Sequence, residues 1–151
     1  MYPDPRVAEF LAKTFVPVRV HVKNNAEEYK RLGERFSVLW TPTVLIVDPS
    51  GTERHRIEGF LPADDFLAQL MLGRAKSAFA QGQFGEAEKA FRAILEQFPG
   101  SEAAPEAQYW AGVSAYKATG DAASLGATAK AFDKTYSDSS WAKKASIWKA
   151  G

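Results

Sequence analysis

The stretch from Phe36 to Gly59, FSVLWTPTVLIVDPSGTERHRIEG, constrains the fold more than any other part of this 151-residue chain. Val44 to Val47 is a continuous apolar run rich in β-branched residues, the pattern of a strand covered on both faces. Asp48-Pro49-Ser50-Gly51 is a turn sequence ending in glycine. Thr52 to Glu58 is therefore predicted to return antiparallel and close a hairpin. Thr41-Pro42 stands just ahead of the first strand. A proline there takes nothing from a ladder, and X-Pro is the bond at which a cis peptide costs little.

The flanking segments alternate helix and strand signals. Asp4-Pro5 suits a helix start, with Asp as cap and Pro at the first helical position. Val7, Phe10, Leu11 and Phe15 then form one apolar stripe. Val16 to Val22 alternates apolar and polar residues, which predicts a strand; Pro17 is tolerable near its end. Asn24 or Asn25 is a cap for a helix running to about Phe36, with Ala26, Tyr29, Leu32 and Phe36 on one side. After the hairpin, Leu61 to Asp65 starts another helix, whose buried side holds Phe66, Leu67 and Leu70.

That order, with aromatic-Thr-Pro-Thr before an apolar strand, then Asp-x-x-Gly, a polar strand and Gly, resembles the second half of a thioredoxin-like domain. Tyr2 to Leu11 is similar to the segment following the Cys-x-x-Cys helix in the group related to thiol:disulfide interchange proteins. There it leads through Phe-Val-Pro-Val into the next strand, as Phe15-Val16-Pro17-Val18 does here. The resemblance covers about residues 2 to 70. It implies a cis Pro42 whose preceding backbone, at Trp40 and Thr41, meets an extended peptide. It also implies that the central strand and the active-site turn are missing. In the family that strand lies between those matching Val18–Val22 and Thr43–Val47. Three resolutions are open. The missing part lies upstream of Met1 in a longer reading frame; the chain self-associates or accepts a partner's strand; or the two strands pair directly in a degenerate sheet.

From Met71 onward the sequence is alanine-rich and helical in period. It repeats at an ungapped offset of about 38 residues, a spacing of stacked helical hairpins. Leu72, Trp110 and Trp148 align, as do Gly82 with Gly120, Ala93 with Ala131, Phe98 with Tyr136, Ser101 with Ser139 and Ala107 with Ala145. Gly82, Ala87, Phe91, Ile94 and Pro99 fall in the register of a tetratricopeptide repeat, which these units resemble. Ala107 to Gly112 is similar to repeats in bacterial envelope accessory proteins of the Tol–Pal type. Ala129 stands where the family has a large aromatic, and Ser137 where it has the closing proline. Trp141 to Lys149 begins a third unit or caps the stack. With fewer than three full units, the helices are expected to lean on the first half through a continuous helix starting near Ala63.

The chain contains no cysteine, which excludes disulfides, thiolate ligands and a cysteine nucleophile within it. His21 and His55 lack carboxylates at ligand spacing and read as solvated or locally bonded. No catalytic residue, metal site or cofactor is assigned. Asp64-Asp65 reads as a helix N-terminus. Lys143, Lys144 and Lys149 read as a solvated face beside core aromatics Trp141 and Trp148. A net charge of +1, with neither half polarised, gives no nucleic-acid footprint. No apolar run reaches the roughly 18 residues of a membrane span. The N-terminus lacks a signal-peptide pattern, so as given the chain reads as cytoplasmic; a start inside a longer frame leaves the envelope open.

The expected fold is therefore a partial thioredoxin-like α/β domain over residues 1–70, missing its central strand, and all-α tetratricopeptide-like hairpins over 71–151. The candidate peptide-binding residues are Trp40, Thr41 and Pro42, with Tyr109 and Tyr116, which either line a repeat groove or pack in the core. Two functions are compatible with this. One is a thioredoxin-family fragment inactive in thiol exchange; the other is an adaptor that recognises protein or peptide partners through its repeats. Homo-oligomerisation or strand exchange at the open sheet edge is a further expectation.

Overall fold

A computed structural model describes residues 4–150; Tyr2 and Pro3, which open the family-like segment, lie outside the described residues. Helix α1 (Pro5–Thr14) starts where Asp4 caps it, the Asp4 Oδ1 accepting from the Arg6 N–H at 2.8 Å. Helix α2 (Ala26–Phe36) ends at Ser37, whose φ of 53° is left-handed. Strands β1 (Thr43–Val47) and β2 (Glu53–Glu58) form a two-stranded antiparallel sheet, pairing Thr43 with Glu58 and Ile46 with His55. A bulge at Arg54 puts Val47 opposite Glu53.

Helix α3 (Ala63–Ala80) runs unbroken from the hairpin into the repeats. It packs on α1, β1 and β2 on one side and on α4 (Phe84–Gln97) and α5 (Ala103–Thr119) on the other. That double contact is why Phe66, Leu67, Leu70, Met71, Leu72 and Ala75 are all buried and the helix has almost no polar face. One apolar core runs from Val7 and Ile46 through α3 to Phe91, Ile94 and Ala111. Then follow α6 (Ala123–Lys134), α7 (Ser140–Ala145) and a 3-10 turn (Ser146–Ala150).

The 38-residue offset has a structural counterpart at several of the aligned pairs. Gly82 and Gly120 both turn the chain between helices with φ of 78° and 74°. The Ser101 hydroxyl donates to Phe98 O at 2.8 Å, and the Ser139 hydroxyl to Tyr136 O at 2.7 Å. Ala107 and Ala145 are both fully buried. The Tyr136 hydroxyl also donates to Pro99 O at 2.6 Å, stitching the turn of one unit to that of the other. Ala129 is fully buried without a large ring because Gly112 lets α6 approach α5 closely. A Cβ on Gly112 would sit 1.9 Å from the Thr128 Oγ1.

Two sequence expectations are corrected. Val16 to Val22 is not a strand; Val16 and Val18 are 92% and 80% exposed. A strand exists only through a ladder, and no neighbour offers one here among the described residues. β1 is also not covered on both faces: only Ile46 is buried, and Val47 is exposed. Without a central strand, a continuous apolar run has one covered side and one open side.

The Ser114 hydroxyl, on α5, is buried with no hydrogen-bond partner among the described residues. Ser114→Ala removes an unsatisfied group and adds a better helix former. Stability measured by urea unfolding should rise by about 1 kcal/mol; a loss of that size would show a hidden partner.

Candidate functional site

The turn ahead of β1 is built from both sides. The helix that enters it, α2, has no buried residue; its tether to the hairpin is polar. Arg56 on β2 donates through Nη1 to Ser37 O at 3.1 Å and through Nη2 to Phe36 O. A guanidinium at the carbonyl end of a helix also complements its dipole. Arg35 Nη2 reaches Gly51 O at 3.4 Å. The chain then crosses Val38 and Leu39 to Trp40.

Thr43 Oγ1 donates to Trp40 O at 2.6 Å, closing a tight turn. The Thr41–Pro42 peptide is cis. Pro42 O accepts from Gly59 N at 2.7 Å, so the turn is anchored to the end of β2. Trp40 and Leu39 are 67% and 87% exposed. Trp40, Thr41 and Pro42 thus lie together at the mouth of β1, their anchoring on the β2 side and their apolar side chains in solvent. Leu39 and the exposed Phe60 are surface apolar groups that the motif did not single out; neither carries a periodic signal. A hollow of about 420 Å³ beside the turn is lined by Tyr29, Gly33, Val38 and Leu39 among others.

Tyr109 and Tyr116 share a face of α5, about 10 Å apart along its axis, but their surroundings differ. Tyr109 is half-buried, stacked on Trp148 at 5.0 Å between centroids and close to Trp141 at 5.3 Å and Trp110 at 5.4 Å. Tyr116 is at the surface, 37% exposed. Trp110 donates to Glu106 at 3.2 Å and meets Phe79 edge to face at 5.2 Å. Glu106 in turn pairs with Lys76 at 3.2 Å. A cleft of about 180 Å³ lies where Arg54 of the hairpin meets Lys76, Phe79 and Trp110 of the repeats.

The charged groups nearby are structural in geometry. Asp48 has its side chain in the hairpin turn, accepting from Ser50 N at 2.9 Å, Thr52 N at 3.1 Å and Arg54 Nε at 2.6 Å. Its bond from the Ser50 hydroxyl, foremost, and then those from Arg54 and the backbone outweigh burial and hold the carboxyl well below the usual range. His21 ties a turn, its Nδ1 accepting from Lys23 N at 3.2 Å and Asn24 N at 3.3 Å. Lys144 sits 3.9 Å over the Trp141 ring, and Lys149 pairs with Asp133. Among the described residues no cluster of three or more His, Asp or Glu side chains is placed to hold a metal ion. No helix among them is long and apolar enough to cross a membrane.

His55 lies between β2 and α3, its Nε2 2.6 Å from Gln69 Oε1, which makes Nε2 the donor. Burial lowers its pKa below the usual value; the Gln69 bond opposes this, Lys76 adds to it, and Glu106 and Glu53 oppose it. The folded value lies below the unfolded one of about 6.5. Its contribution to stability is therefore complete above that value and falls as pH drops through it. Between about pH 7.5 and about pH 5.5, the melting temperature should fall more for the wild-type chain than for His55→Gln. Parallel curves would show that the imidazole stays as solvated as in the unfolded chain.

Residues 1–73 match the family model described as a thioredoxin-like domain, and residues 69–101 match that of the tetratricopeptide repeat. The first half is thus thioredoxin-like and a tetratricopeptide repeat follows it. The chain is also 38% identical over 68 residues to the thiol:disulfide interchange protein DsbD of Actinobacillus pleuropneumoniae serotype 5b (strain L20). The match takes in 44% of this chain and spans 12% of that relative's length. No solved structure matches the chain.

Proposed function

We propose that these 151 residues act by holding extended protein segments, without thiol exchange of their own. The observation that carries this is the Trp40-Thr41-Pro42 turn. It is cis at Pro42, anchored to β2 at its back, and exposes Trp40 beside a strand whose outer edge is unpaired. An apolar ring at the mouth of an open edge suits capture of a peptide by strand addition. The thiolate is the nucleophile of exchange, and no side chain here supplies one. The DsbD relative is named for interchange; any such role for this chain needs thiols from elsewhere.

The repeats support a second, adaptor reading through the exposed Tyr116 and the cleft at Lys76, Phe79 and Trp110. We place the boundary between the two working surfaces near residues 70 and 71, inside α3. Two measurements test the proposal. Reduction of insulin by dithiothreitol should run at the same rate with and without the protein; acceleration overturns the redox-inert reading. Capture from an array of unfolded-protein peptides should drop at least tenfold for Trp40→Ala. If Tyr109→Ala plus Tyr116→Ala abolishes capture while Trp40→Ala leaves it intact, the repeats are the recognition surface instead.

A further inference from the structure

We propose that the cleft between the hairpin and the repeats receives an acidic side chain of a partner protein, an aspartate or glutamate with an apolar neighbour in the partner's chain. This rests on the adaptor reading of the repeats and names what one of their surfaces recognises. The cleft, about 180 Å³, is lined by Glu53 and Arg54 of β2, Lys76 and Phe79 of α3, Phe91 of α4 and Trp110 of α5, among others. Donors outnumber free acceptors there. Asp48, its side chain only 3% exposed and fixed in the hairpin turn, holds Arg54 through Nε at 2.6 Å. That bond orients the guanidinium and leaves both Nη groups without an acceptor among the described residues. Lys76 Nζ has one carboxylate partner among them, Glu106 at 3.2 Å. Glu53, the acidic member of the lining, turns both oxygens to Arg56, at 3.0 and 2.7 Å.

A guanidinium fork and an ammonium lining one cleft, with the nearby carboxylates already engaged, complement one further carboxylate. The Arg54 and Lys76 side chains are 31% and 29% exposed, so a ligand can reach them. Because Asp48 aims the fork beforehand, little ordering cost falls on binding. The rest of the lining calls for an apolar neighbour. Phe79 and Trp110 meet edge to face at 5.2 Å, and the fully buried Phe91 lies beneath them. The space is below the roughly 300 Å³ of a drug-sized ligand site and suits a side chain or two of a protein.

The probe is the blocked peptide acetyl-Gly-Gly-Glu-Phe-Gly-Gly-amide, titrated into the full chain and followed by residue-level NMR. The Trp110 indole N–H, which donates to Glu106 beside the cleft, should shift and saturate with a Kd of about 1 mM. Glutamine in place of the peptide's glutamate should weaken binding about tenfold, and alanine in place of its phenylalanine about threefold or more. These comparisons leave the protein unaltered. Arg54→Lys keeps the charge and loses the fork; it should weaken binding about fivefold with unchanged circular dichroism. An indole signal that stays still up to about 10 mM peptide, equal binding of the glutamine peptide, or no effect of Arg54→Lys would each overturn the proposal. So would tighter binding of acetyl-Gly-Gly-Gly-Phe with a free carboxyl end, which marks a chain-end site, or an equal shift with inorganic phosphate, which marks a general anion site. Partner capture that depends on Tyr116 while the cleft signals stay still would leave the adaptor reading standing and remove only the cleft.

Discussion

Phe91→Ala should lower the stability of the chain by about 3–5 kcal/mol. Phe91 is fully buried on α4, and α4 packs against both α3 and α5. The ring therefore fills the space that holds the first repeat unit to the second. Alanine would lose the transfer free energy of the ring and leave a cavity that three helices cannot all collapse into. Whole domains of this size carry about 5–15 kcal/mol in total, so the variant should be near unfolding at physiological temperature. The core that contains Phe91 continues through α3 to Ile46 and Val7. The loss should thus appear in one cooperative transition, with fluorescence of Trp40 near the hairpin and Trp110 on α5 changing together. Urea melts followed at both tryptophans, in single-tryptophan backgrounds, check this; a change confined to Trp110 would show two separate folding units.

Gly73→Ala should cost about 1–3 kcal/mol, although alanine is the better helix former by about 1 kcal/mol. Gly73 is buried on α3 where the helix crosses the hairpin. A Cβ there would meet Ile46 Cδ1 at 2.1 Å and His55 Cβ at 3.0 Å. The Ile46 δ-methyl has little room to turn away because that residue is itself buried. Ile46→Val removes the offending methyl. Alone it should cost about 0.5–1.5 kcal/mol, yet in the Gly73→Ala background it should restore stability. A double-mutant cycle measures this coupling. Strict additivity of the two losses would mean that helix and hairpin are further apart than described.

Both positions bear on what was legible before the structure. Phe91 is marked by its place in the repeat, since a large ring at that register has little to do but fill a helix groove. Gly73 carried no such signal. A lone glycine inside an alanine-rich helix looks only like a weak spot, and its use emerges when β1 is seen against the same turn. The candidate site divides in the same way. Trp40-Thr41-Pro42 was readable because proline chemistry and the hairpin are local. Arg56, which holds the end of α2 in place 20 residues away, was not, because nothing in sequence marks which carbonyls an arginine will find. Tyr109 and Tyr116 looked alike along the chain and differ in space, since the final turn folds Trp148 over one and leaves the other in water.

The chain sequence was sufficient for features set within a few residues: the Asp4 cap, the Asp48 turn, the glycine stops at 82 and 120, and the spacing between them. Each depends on backbone preferences or short-range hydrogen bonds that travel with the residues. It was insufficient for Val16 to Val22 and for the cover over β1. Alternation promises a strand, but a strand is completed by hydrogen bonds from a neighbour. With no neighbour among the described residues, the first segment stays in solvent and the second keeps one edge unpaired.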